Sequence, residues 1–387
     1  MASKLNKKFQ AVSAALESEL LERATAIKCA LLALLSGEHL LLLGPPGTAK
    51  SLLVRKLRER VEEAGYFERL LTQFSTPEEL FGPVDLAAYA DKGVYTRIDR
   101  QSLTTSHFAF LDEVFKANSA ILNSLLTLIN ERIIHEVGMD PKKAPLLTLF
   151  AASNETPEDG ALAALYDRFL VKLVVSYVSD EQSFEDLVLG KFGSGSDAKL
   201  TLDDIRQAQA EVAKVTFSAD AVEGLKKLRS ACMVDGLAVS DRKWVQCAKL
   251  LKASAWLDGR NEVDVEDLGV LAHSLWMDVK SIKAVERCVF AVSNPLHLRA
   301  VEIEDQAAEV FAAVPVEGSP NYKTALENAL QQLTDQARAL EEMISNSRAR
   351  DKSRARESLD KVAGLHKQLA RKALQGLHKL GLGGIKL

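Results

Sequence analysis

Two patterns of hydrophobic residues alternate along the first half of the chain, and together they predict strands separated by helices. Short apolar runs with few polar positions are typical of strands that are buried on both faces of a parallel sheet. Such runs occupy residues 40–43, 67–74, 107–111, 146–152 and 171–175. Between them, apolar residues recur at steps of three and four, as on one face of a helix. The pattern predicts an α/β fold with a parallel five-stranded sheet and helices on both sides.

The pattern changes after residue 178, where helical periodicity takes over. Helices are expected over 201–214, 218–233, 241–258 and 264–290, after a glycine- and serine-rich linker at 189–196. Beyond Pro320 two apolar stripes with heptad-like steps, at 326–344 and 359–373, predict the arms of a helical hairpin. We therefore expect three domains: an α/β core (1–178), a helical lid (179–293) and a mainly helical C-terminal domain (294–387).

Composition and charge narrow the class of protein. The 387 residues are 47% hydrophobic and 26% charged, which is ordinary for a globular chain of two or three domains. A net charge of −4 gives no overall attraction to nucleic acid or anionic membranes. Four widely separated cysteines suggest neither a zinc site nor a disulfide framework. With no signal peptide or transmembrane segment expected, the sequence favours a cytoplasmic protein.

The first apolar run leads into a glycine-bounded loop and then a helix, the arrangement of a phosphate-binding loop. Its backbone N–H groups would surround phosphates, Lys50 would reach the β- and γ-phosphates, and the Ser51 hydroxyl would bind Mg²⁺. The loop residues that would hold ATP are Gly44, Pro46, Gly47, Thr48, Ala49, Lys50 and Ser51. Ala49 replaces the usual glycine and is tolerated if the backbone there is right-handed. The alternative is an ordinary turn between strand and helix.

Polar side chains follow two later strands. Asp112 and Glu113 end the run at 107–111, where a carboxylate can hold Mg²⁺ and a second can act as general base. Asn154 ends the next long run and can contact the γ-phosphate or orient the attacking water. Because its strand should lie beside the strand of Asp112, we expect the three side chains at one edge of the sheet. The alternative interpretation of these polar residues is that they lie in solvated turns without a role in catalysis.

Arginines supply further candidates. Arg242 lies in the first turn of a predicted helix, where the dipole disfavours a cation, so a nearby anion such as a nucleotide phosphate would explain it. The segment 345–358 carries five basic residues, Arg348, Arg350, Lys352, Arg354 and Arg356. A solvated helix face or hairpin tip is favoured there over a patch for nucleic acid or an acidic partner.

Taken together, these motifs resemble the AAA+ ATPases, within them the MoxR family, and most closely its RavA branch. The residues that carry the resemblance are 44–51, 74–83, 110–113, 122–126, 129–132, 151–155 and 164–169. The resemblance implies an AAA+ P-loop core with a helix-2 insert at 75–106 and a hairpin at 133–145, then an all-helical lid and a C-terminal helical hairpin. RavA relatives also carry a β-rich module among their last helices, and no stretch of this sequence matches it.

The resemblance also implies roles for individual residues. Lys50 and Ser51 become the Walker A pair, Asp112 and Glu113 the Walker B acids, Asn154 sensor 1 and Arg242 sensor 2. Arg168 matches the arginine finger that reaches the nucleotide of a neighbouring subunit, with Arg132 as second choice. ATP and Mg²⁺ are the implied cofactors, and the implied assembly is a homo-oligomeric ring, usually a hexamer.

The function implied is Mg²⁺-dependent ATP hydrolysis that drives chaperone-like remodelling or maturation of a protein complex. Family members often work with a partner that carries a von Willebrand factor A domain. Two alternatives stay open: a nucleotide-gated assembly scaffold whose turnover is incidental, and a nucleic-acid translocase, which the net charge disfavours. The client, the ring size and the residues that bind adenine are left open.

Overall fold

The structure, a computed structural model, describes residues 3–379 except 93–95, 135–140, 156–159, 194, 317, 348 and 351. The α-helices are α1 (Lys4–Glu19), α2 (Ala24–Ser36), α3 (Lys50–Glu59), α4 (Pro77–Phe81), α5 (Leu86–Lys92), α6 (Ser119–Glu131), α7 (Gly160–Arg168), α8 (Glu181–Val188), α9 (Leu202–Ala213), α10 (Ala219–Val234), α11 (Asp241–Leu257), α12 (Ile282–Ser293), α13 (Pro295–Ala312), α14 (Tyr322–Asn346) and α15 (Ser353–Lys379). The strands are β1 (Leu40–Leu43), β2 (Tyr66–Leu70), β3 (Phe108–Asp112), β4 (Ile133–Ile134), β5 (Lys142–Lys143), β6 (Thr148–Ser153), β7 (Val171–Val174), β8 (Thr216–Phe217) and β9 (Glu262–Val263). Short 3₁₀ helices lie at Leu103–Thr105, Val114–Lys116, Val265–His273 and Val279–Ser281.

Five strands form the predicted parallel sheet, in the order β2-β3-β6-β1-β7. Every residue of β1 and β6 is buried, as expected for strands covered on both faces. The expected pairing of β3 with β6 is confirmed, with Phe108 opposite Thr148 and Leu111 opposite Ala151. This pairing places the ends of the Asp112 strand and the Asn154 strand side by side.

Two additions interrupt the α/β alternation where the sequence predicts them. Between β2 and β3 the insert forms α4, α5 and a bridge that pairs Val84 with Arg97. After α6, β4 pairs antiparallel with β5 as the base of the predicted hairpin, whose residues 135–140 lie outside the described residues. The core is therefore a parallel sheet with a helical insert, an α/β AAA+ fold.

Helices α9 and α11 pack against α2, which explains why α2 is apolar around most of its circumference. Helix α1 is fixed to the end of α11, since the Asn6 side chain donates to the backbone oxygens of Trp256 and Leu257. These contacts satisfy carbonyl groups that a helix end leaves without partners. The Phe9 ring meets the Trp256 ring edge-on, with centroids 5.4 Å apart.

The lid region differs from the prediction in two places. The helix expected over 264–290 is instead a 3₁₀ segment, a break, and α12, because Asp278 accepts a hydrogen bond from the Ser281 N–H and starts a new turn. The region is also not wholly helical, since β8 and β9 form a two-residue parallel pair.

The predicted linker at 189–196 lies along α1, where the Gly193 N–H donates to the Ser18 oxygen at 3.0 Å. A Cβ on Gly195 would come within 2.7 Å of the Ala15 oxygen, so the glycine allows close approach of the two backbones.

The chain forms two compact units, the second comprising residues 286–379 together with 224–231 of α10. In the second unit the predicted hairpin of α14 and α15 is joined by α13, which packs against both arms. Their shared core is apolar and contains Ala300, Ile303, Leu333, Leu340, Val362 and Leu369. The expectation of a hairpin alone thus missed a third helix.

Part of the basic segment is engaged within the second unit. Lys352 donates to the Ile344 and Ser347 oxygens, and Arg354 pairs with Glu304 at 2.9 Å, whereas Arg348 lies outside the described residues. The described residues of 295–379 contain no strand. Across all described residues, no helix combines the length and apolarity needed to cross a bilayer.

Candidate functional site

The loop between β1 and α3 is built around a close backbone approach. A Cβ on Gly44 would lie 2.1 Å from the Val175 oxygen, and its φ of 148° also favours glycine, so this position excludes other residues. Thr48 is buried, and its hydroxyl donates to the Pro45 oxygen at 3.0 Å. The loop thereby folds over the carboxyl end of β1 and leads into the first turn of α3.

Ala49 does not meet the condition under which alanine is readily tolerated at this position, a right-handed backbone. Its φ of 64° and ψ of 24° are left-handed, and it is the residue from which α3 starts. A left-handed conformation costs a residue with a Cβ roughly 1–2 kcal/mol. The loop therefore keeps its shape despite the alanine and stores strain there.

Lys50 points back into the loop. Its Nζ donates to the oxygens of Gly44 and Pro45 at 2.6 and 2.8 Å, and it lies 3.4 Å from the Asn154 Oδ1. Burial lowers the pKa of Lys50, while the Asp112 and Glu113 carboxylates oppose that shift. The ammonium group is thus held at the centre of the loop, where a phosphate would lie.

Asp112, Glu113 and Asn154 meet at the same edge of the sheet. The Asn154 side-chain amide donates to the Glu113 Oε1 at 2.6 Å while its oxygen faces Lys50, so Asn154 connects the lysine to the carboxylate. The Asp112 Oδ1 accepts from the Glu113 N–H at 3.0 Å, and Lys116 lies 3.4 Å from the other Glu113 oxygen. The structure brings these predicted site residues together with Lys50 at the carboxyl edge.

Ser51 lies in the first turn of α3, directly after Lys50, and is half-buried. Together with Asp112 it supplies only oxygen donors, which suits Mg²⁺, a cation that prefers oxygen ligands and keeps several waters. The donor chemistry of this edge therefore fits the implied metal ion.

Arg168 and Arg242 lie elsewhere, around a pocket of about 790 Å³ that we term the arginine surface. It is lined by Gly37, Glu38, His39, Ile129, Asn130, Glu131, Arg132, Arg168, Arg242, Val245, Gln246 and Lys249. Residues 37–39 precede β1, and Arg168 precedes β7, so this surface lies at the amino edge of the sheet. The sheet separates it from the carboxyl edge that carries Lys50 and Glu113.

The three arginines of this surface differ in their contacts. Arg242 donates to the Asn130 Oδ1 at 3.1 Å, and the Arg168 Nε is buried without a hydrogen-bond partner among the described residues. Burial and then the charge of Arg242 lower the pKa of Arg168, whereas Asp167 opposes the shift. Arg132 instead donates to the Gly37 and Leu147 oxygens, which ties its guanidinium to the fold.

Beneath the arginine surface lies a buried cluster that sequence reasoning missed. Lys243 on α11 is 3% exposed, and its Nζ lies 3.0 Å from the Asp167 Oδ1. Lys172 on β7 is fully buried, over the rings of Tyr166 and Trp276 at 4.9 and 5.5 Å. Asp167 and Lys243 are the chain neighbours of Arg168 and Arg242, so this ion pair fixes the two arginines close together.

A second unforeseen contact joins the link between α1 and α2 to the loop. Arg23 is buried and donates to the Thr48 oxygen at 3.2 Å and to the Ser176 oxygen at 2.9 Å. Its neighbour Glu22 accepts hydrogen bonds from the backbone of Ser179 and Asp180. Arg23 thus joins the loop to the segment that follows β7, where one side of a nucleotide would lie.

Comparison with known proteins identifies two family matches. Residues 7–215 match the family described as the MoxR domain in the MoxR-vWA-beta-propeller ternary systems, and residues 220–289 match an AAA lid domain. Two proteins of Methanocaldococcus jannaschii, the uncharacterized MJ0079 and MJ0812, are each 39% identical to this chain. The match with MJ0079 covers 76% of this chain and 76% of MJ0079, and the match with MJ0812 covers 72% of this chain and 74% of MJ0812.

More distant similarities agree with these matches. Chaperone MoxR1 of Mycobacterium tuberculosis is 33% identical over 40% of this chain and 41% of its own. A crystal structure from Cytophaga hutchinsonii, described as a candidate ATPase, superposes with a TM-score of 0.59 at 21% identity, covering 74% of this chain and 95% of the other. At that identity the superposition shows the fold alone.

Proposed function

The chain belongs to the MoxR family of AAA+ proteins, and on that premise we propose that it is a Mg²⁺-dependent ATPase that works as a ring of identical subunits and remodels a protein client. One observation carries the proposal. The residues suited to hold and hydrolyse a nucleotide lie at one edge of the sheet, and the arginines suited to complete its hydrolysis lie at the other.

At the carboxyl edge, the loop amides and Lys50 would hold the phosphates of ATP. Lys50 now donates to two loop oxygens, and a phosphate would take their place as its acceptor. Ser51 and Asp112 would hold Mg²⁺, which when bound neutralises charge on the phosphate oxygens. Arg23, through Thr48, would keep the loop in position beside the base and ribose.

Glu113 is the candidate general base. Asn154 holds the Glu113 carboxylate at 2.6 Å and faces Lys50, so it can position the carboxylate relative to the γ-phosphate. The carboxylate would accept a proton from the attacking water. Asn154 would then orient the base and stabilise the transferred phosphoryl group at the same time.

The arginines would act on the nucleotide of an adjacent copy. β7 has four residues, which at about 3.3 Å each separate its ends by roughly 13 Å, and Arg168 lies before it. Arg168 therefore suits a role in trans, where such an arginine raises the rate about 10³- to 10⁵-fold. Arg242 lies on the same surface, so we propose a trans role for it too. Arg132, engaged by two backbone oxygens, fits this role less well.

The family description supports a proposal about the partner, while the client is left open. Its description names vWA and beta-propeller components, and we propose that this chain works with a von Willebrand factor A domain protein. Placement in the RavA branch stays a prediction. A capture experiment with the Glu113→Gln protein in ATP, followed by identification of the bound proteins, tests the vWA assignment; if no vWA protein is enriched over Lys50→Ala, that assignment is wrong.

The test of shared hydrolysis is ATPase activity as a function of protein concentration, with mass photometry on the same samples. We expect a cooperative rise, and steep inhibition when Arg168→Ala protein is mixed with wild type. The matched control is Arg206→Ala, since Arg206 is an exposed arginine on α9 that pairs with Asp203. Activity per subunit that is flat with concentration, and inhibition that follows simple dilution, would refute the trans assignment.

Glu113→Gln separates the ATPase from the scaffold alternative. Without the carboxylate, a motor should bind ATP and assemble yet lose remodelling of its client. A scaffold should keep or gain client activity, because turnover is incidental to it.

A further inference from the structure

Helix α8 presents an apolar face that the described part of the chain leaves exposed. Phe184, Leu187 and Val188 share one face at steps of three and four residues and are 60%, 43% and 66% exposed. Tyr177, just before the helix, is 60% exposed, and no residue of α8 is buried. We call these four residues the α8 face. An eight-residue helix is shorter than the roughly 12–15 residues that a helix needs to persist in water without packing.

The position of the α8 face relates it to the nucleotide site. The segment leaves β7 at the carboxyl edge, and Glu22 accepts from the Ser179 and Asp180 N–H groups and so fixes the start of the helix. Arg23, the next residue, contacts both Ser176 and the loop residue Thr48. The α8 face therefore lies on the same edge of the sheet as Lys50 and Glu113.

The charge around the α8 face is the opposite of that on the arginine surface. Residues 180–191 contain four acids and one lysine, and that lysine, Lys191, lies 3.6 Å from Glu185. The arginine surface carries Arg132, Arg168, Arg242 and Lys249, against the acids Glu38 and Glu131. It also presents an apolar side chain, since Val245 is 65% exposed beside Arg242. The two surfaces thus match in both charge and apolar character.

We propose that the α8 face of one copy docks on the arginine surface of a second copy, around Val245. This rests on the proposed ring function and names the surfaces that would build it. Because the two surfaces lie on opposite edges of the sheet, the contact is head-to-tail, and a head-to-tail contact repeats from copy to copy and forms a ring when the rotation between copies closes. The same contact carries Arg168 and Arg242 to the edge where Lys50 and Glu113 of the neighbour lie.

Cross-linking of introduced cysteines tests the orientation in the full chain. All four native cysteines are buried, so Val188→Cys and Val245→Cys supply the accessible thiols for a bis-maleimide reagent in the presence of ATP. We expect no cross-link in either single variant, a dimer when the two are mixed, and a ladder of multimers when both changes are in one chain. A dimer from Val188→Cys alone would show that two α8 faces meet each other and would overturn the proposal.

Substitution of a charged residue into the α8 face tests how much this face contributes to assembly. Phe184→Glu should raise the concentration for half-assembly at least tenfold, while thermal unfolding stays that of wild type because the side chain is 60% exposed. The matched control, Val316→Glu, changes an 82% exposed valine of the second unit and should leave assembly unchanged.

Other outcomes separate this inference from the proposed function. Rings that form normally with Phe184→Glu, or rings without the mixed cross-link, would overturn the docking surface and leave a ring ATPase standing. Wild-type protein that stays monomeric in ATP at every concentration would overturn both.

Discussion

Replacing Lys172 with methionine should stabilise the folded protein at neutral pH and remove part of its pH dependence. Lys172 is fully buried, and its Nζ meets the Phe169 oxygen only at 3.4 Å. The nearest acid, Asp167, contacts Lys243 at 3.0 Å. Burial, followed by the charge of Lys243, holds the pKa of Lys172 well below its usual range. The folded protein therefore binds this proton more weakly than the unfolded chain does.

The sign of the pH effect follows from the protons bound in each state. An unfolded lysine stays protonated up to a pKa of about 10.4, so between the lowered folded pKa and that value the unfolded chain binds more protons. Stability must then rise with pH through this window, by up to about 1.4 kcal/mol per pH unit, and below the folded pKa this group adds no pH dependence.

The surrounding groups act in the opposite direction, but they do so equally in wild type and variant. Burial raises the pKa of Cys247 to about 12 and also raises the pKa of Tyr166, so both groups lose protons first in the unfolded chain and lower the stability as the pH rises. The contribution of Lys172 is therefore read from the difference between the two pH curves. Methionine has a similar length and no charge, and replacement of buried charged groups by apolar ones of similar volume is often neutral or stabilising by about 1–4 kcal/mol. We expect a gain in that range for Lys172→Met at neutral pH, which shrinks as the pH approaches the pKa of free lysine.

Urea unfolding from about pH 7 to about pH 10 measures the effect. Wild type and Lys172→Met are compared with Lys283→Met, since Lys283 is an exposed lysine on α12. Lys172→Met should have the higher free energy of unfolding at neutral pH, and its advantage over wild type should shrink as the pH rises, whereas the difference between Lys283→Met and wild type should stay constant. Parallel curves, or a Lys172→Met protein that is less stable at neutral pH, would show that Lys172 is charged and satisfied in the folded state.

Three further substitutions test the site. Ala49→Gly should change the free energy of unfolding by no more than about 1 kcal/mol, because relief of the left-handed φ offsets the greater entropy of the unfolded chain. A larger loss of stability in urea unfolding would show that Ala49 is not strained. Asn154→Ala should lower the rate of single-turnover ATP hydrolysis about 10²- to 10³-fold with little change in the affinity for a fluorescent nucleotide. An equal loss of rate and affinity would contradict the proposal that Asn154 orients the Glu113 carboxylate. Asp167→Asn should destabilise the fold by about 1–3 kcal/mol, which is less than the loss of one partner from a fully buried ion pair, because the Asp167 side chain is 34% exposed. The control Asp203→Asn changes a side chain that is 90% exposed and should alter thermal unfolding little.

The sequence predicts the sheet and its carboxyl edge well because both depend on local pattern. Each buried strand is an apolar run, and the polar residue that ends it appears directly in the chain, as Asp112 and Asn154 do. Once the strands are parallel, such residues must meet at one edge. The meeting of Lys50, Glu113 and Asn154 therefore needed no knowledge of long-range packing.

The arginine surface could not be predicted in this way. Arg242 was expected near a nucleotide phosphate, which stays a prediction, and the surface on which it lies depends on how α11 packs against α2, which local periodicity does not encode. The burial of Lys172 is not apparent from the sequence for a related reason, since the Trp276 ring that helps to cover it comes from a distant part of the chain. Both features depend on packing between segments that are far apart in sequence.

Ala49 and the 189–196 segment show a different limit. Alanine at the usual glycine position is readily tolerated only with a right-handed backbone, yet the loop holds Ala49 at a φ of 64°. Glycines in the segment suggest flexibility, yet two of them allow close contact with α1. Composition shows which conformations a residue permits, and the surrounding structure selects among them.

Contacts between the two edges of the sheet suggest how nucleotide state and arginine position could be linked. α6 follows Glu113 after one 3₁₀ turn and, with 13 residues, spans about 20 Å to the amino edge. There Asn130, near its end, contacts Arg242, and Arg242 adjoins Lys243, which pairs with Asp167 beside Arg168. Helix α6 thus joins the segment of Glu113, the proposed general base in one copy, to the arginines that would serve the next copy. Because the Asp167–Lys243 ion pair joins the chain neighbours of the two arginines, Arg168 and Arg242 should move together, so a shift of α6 at one nucleotide would reach the neighbouring site as a single displacement of both arginines.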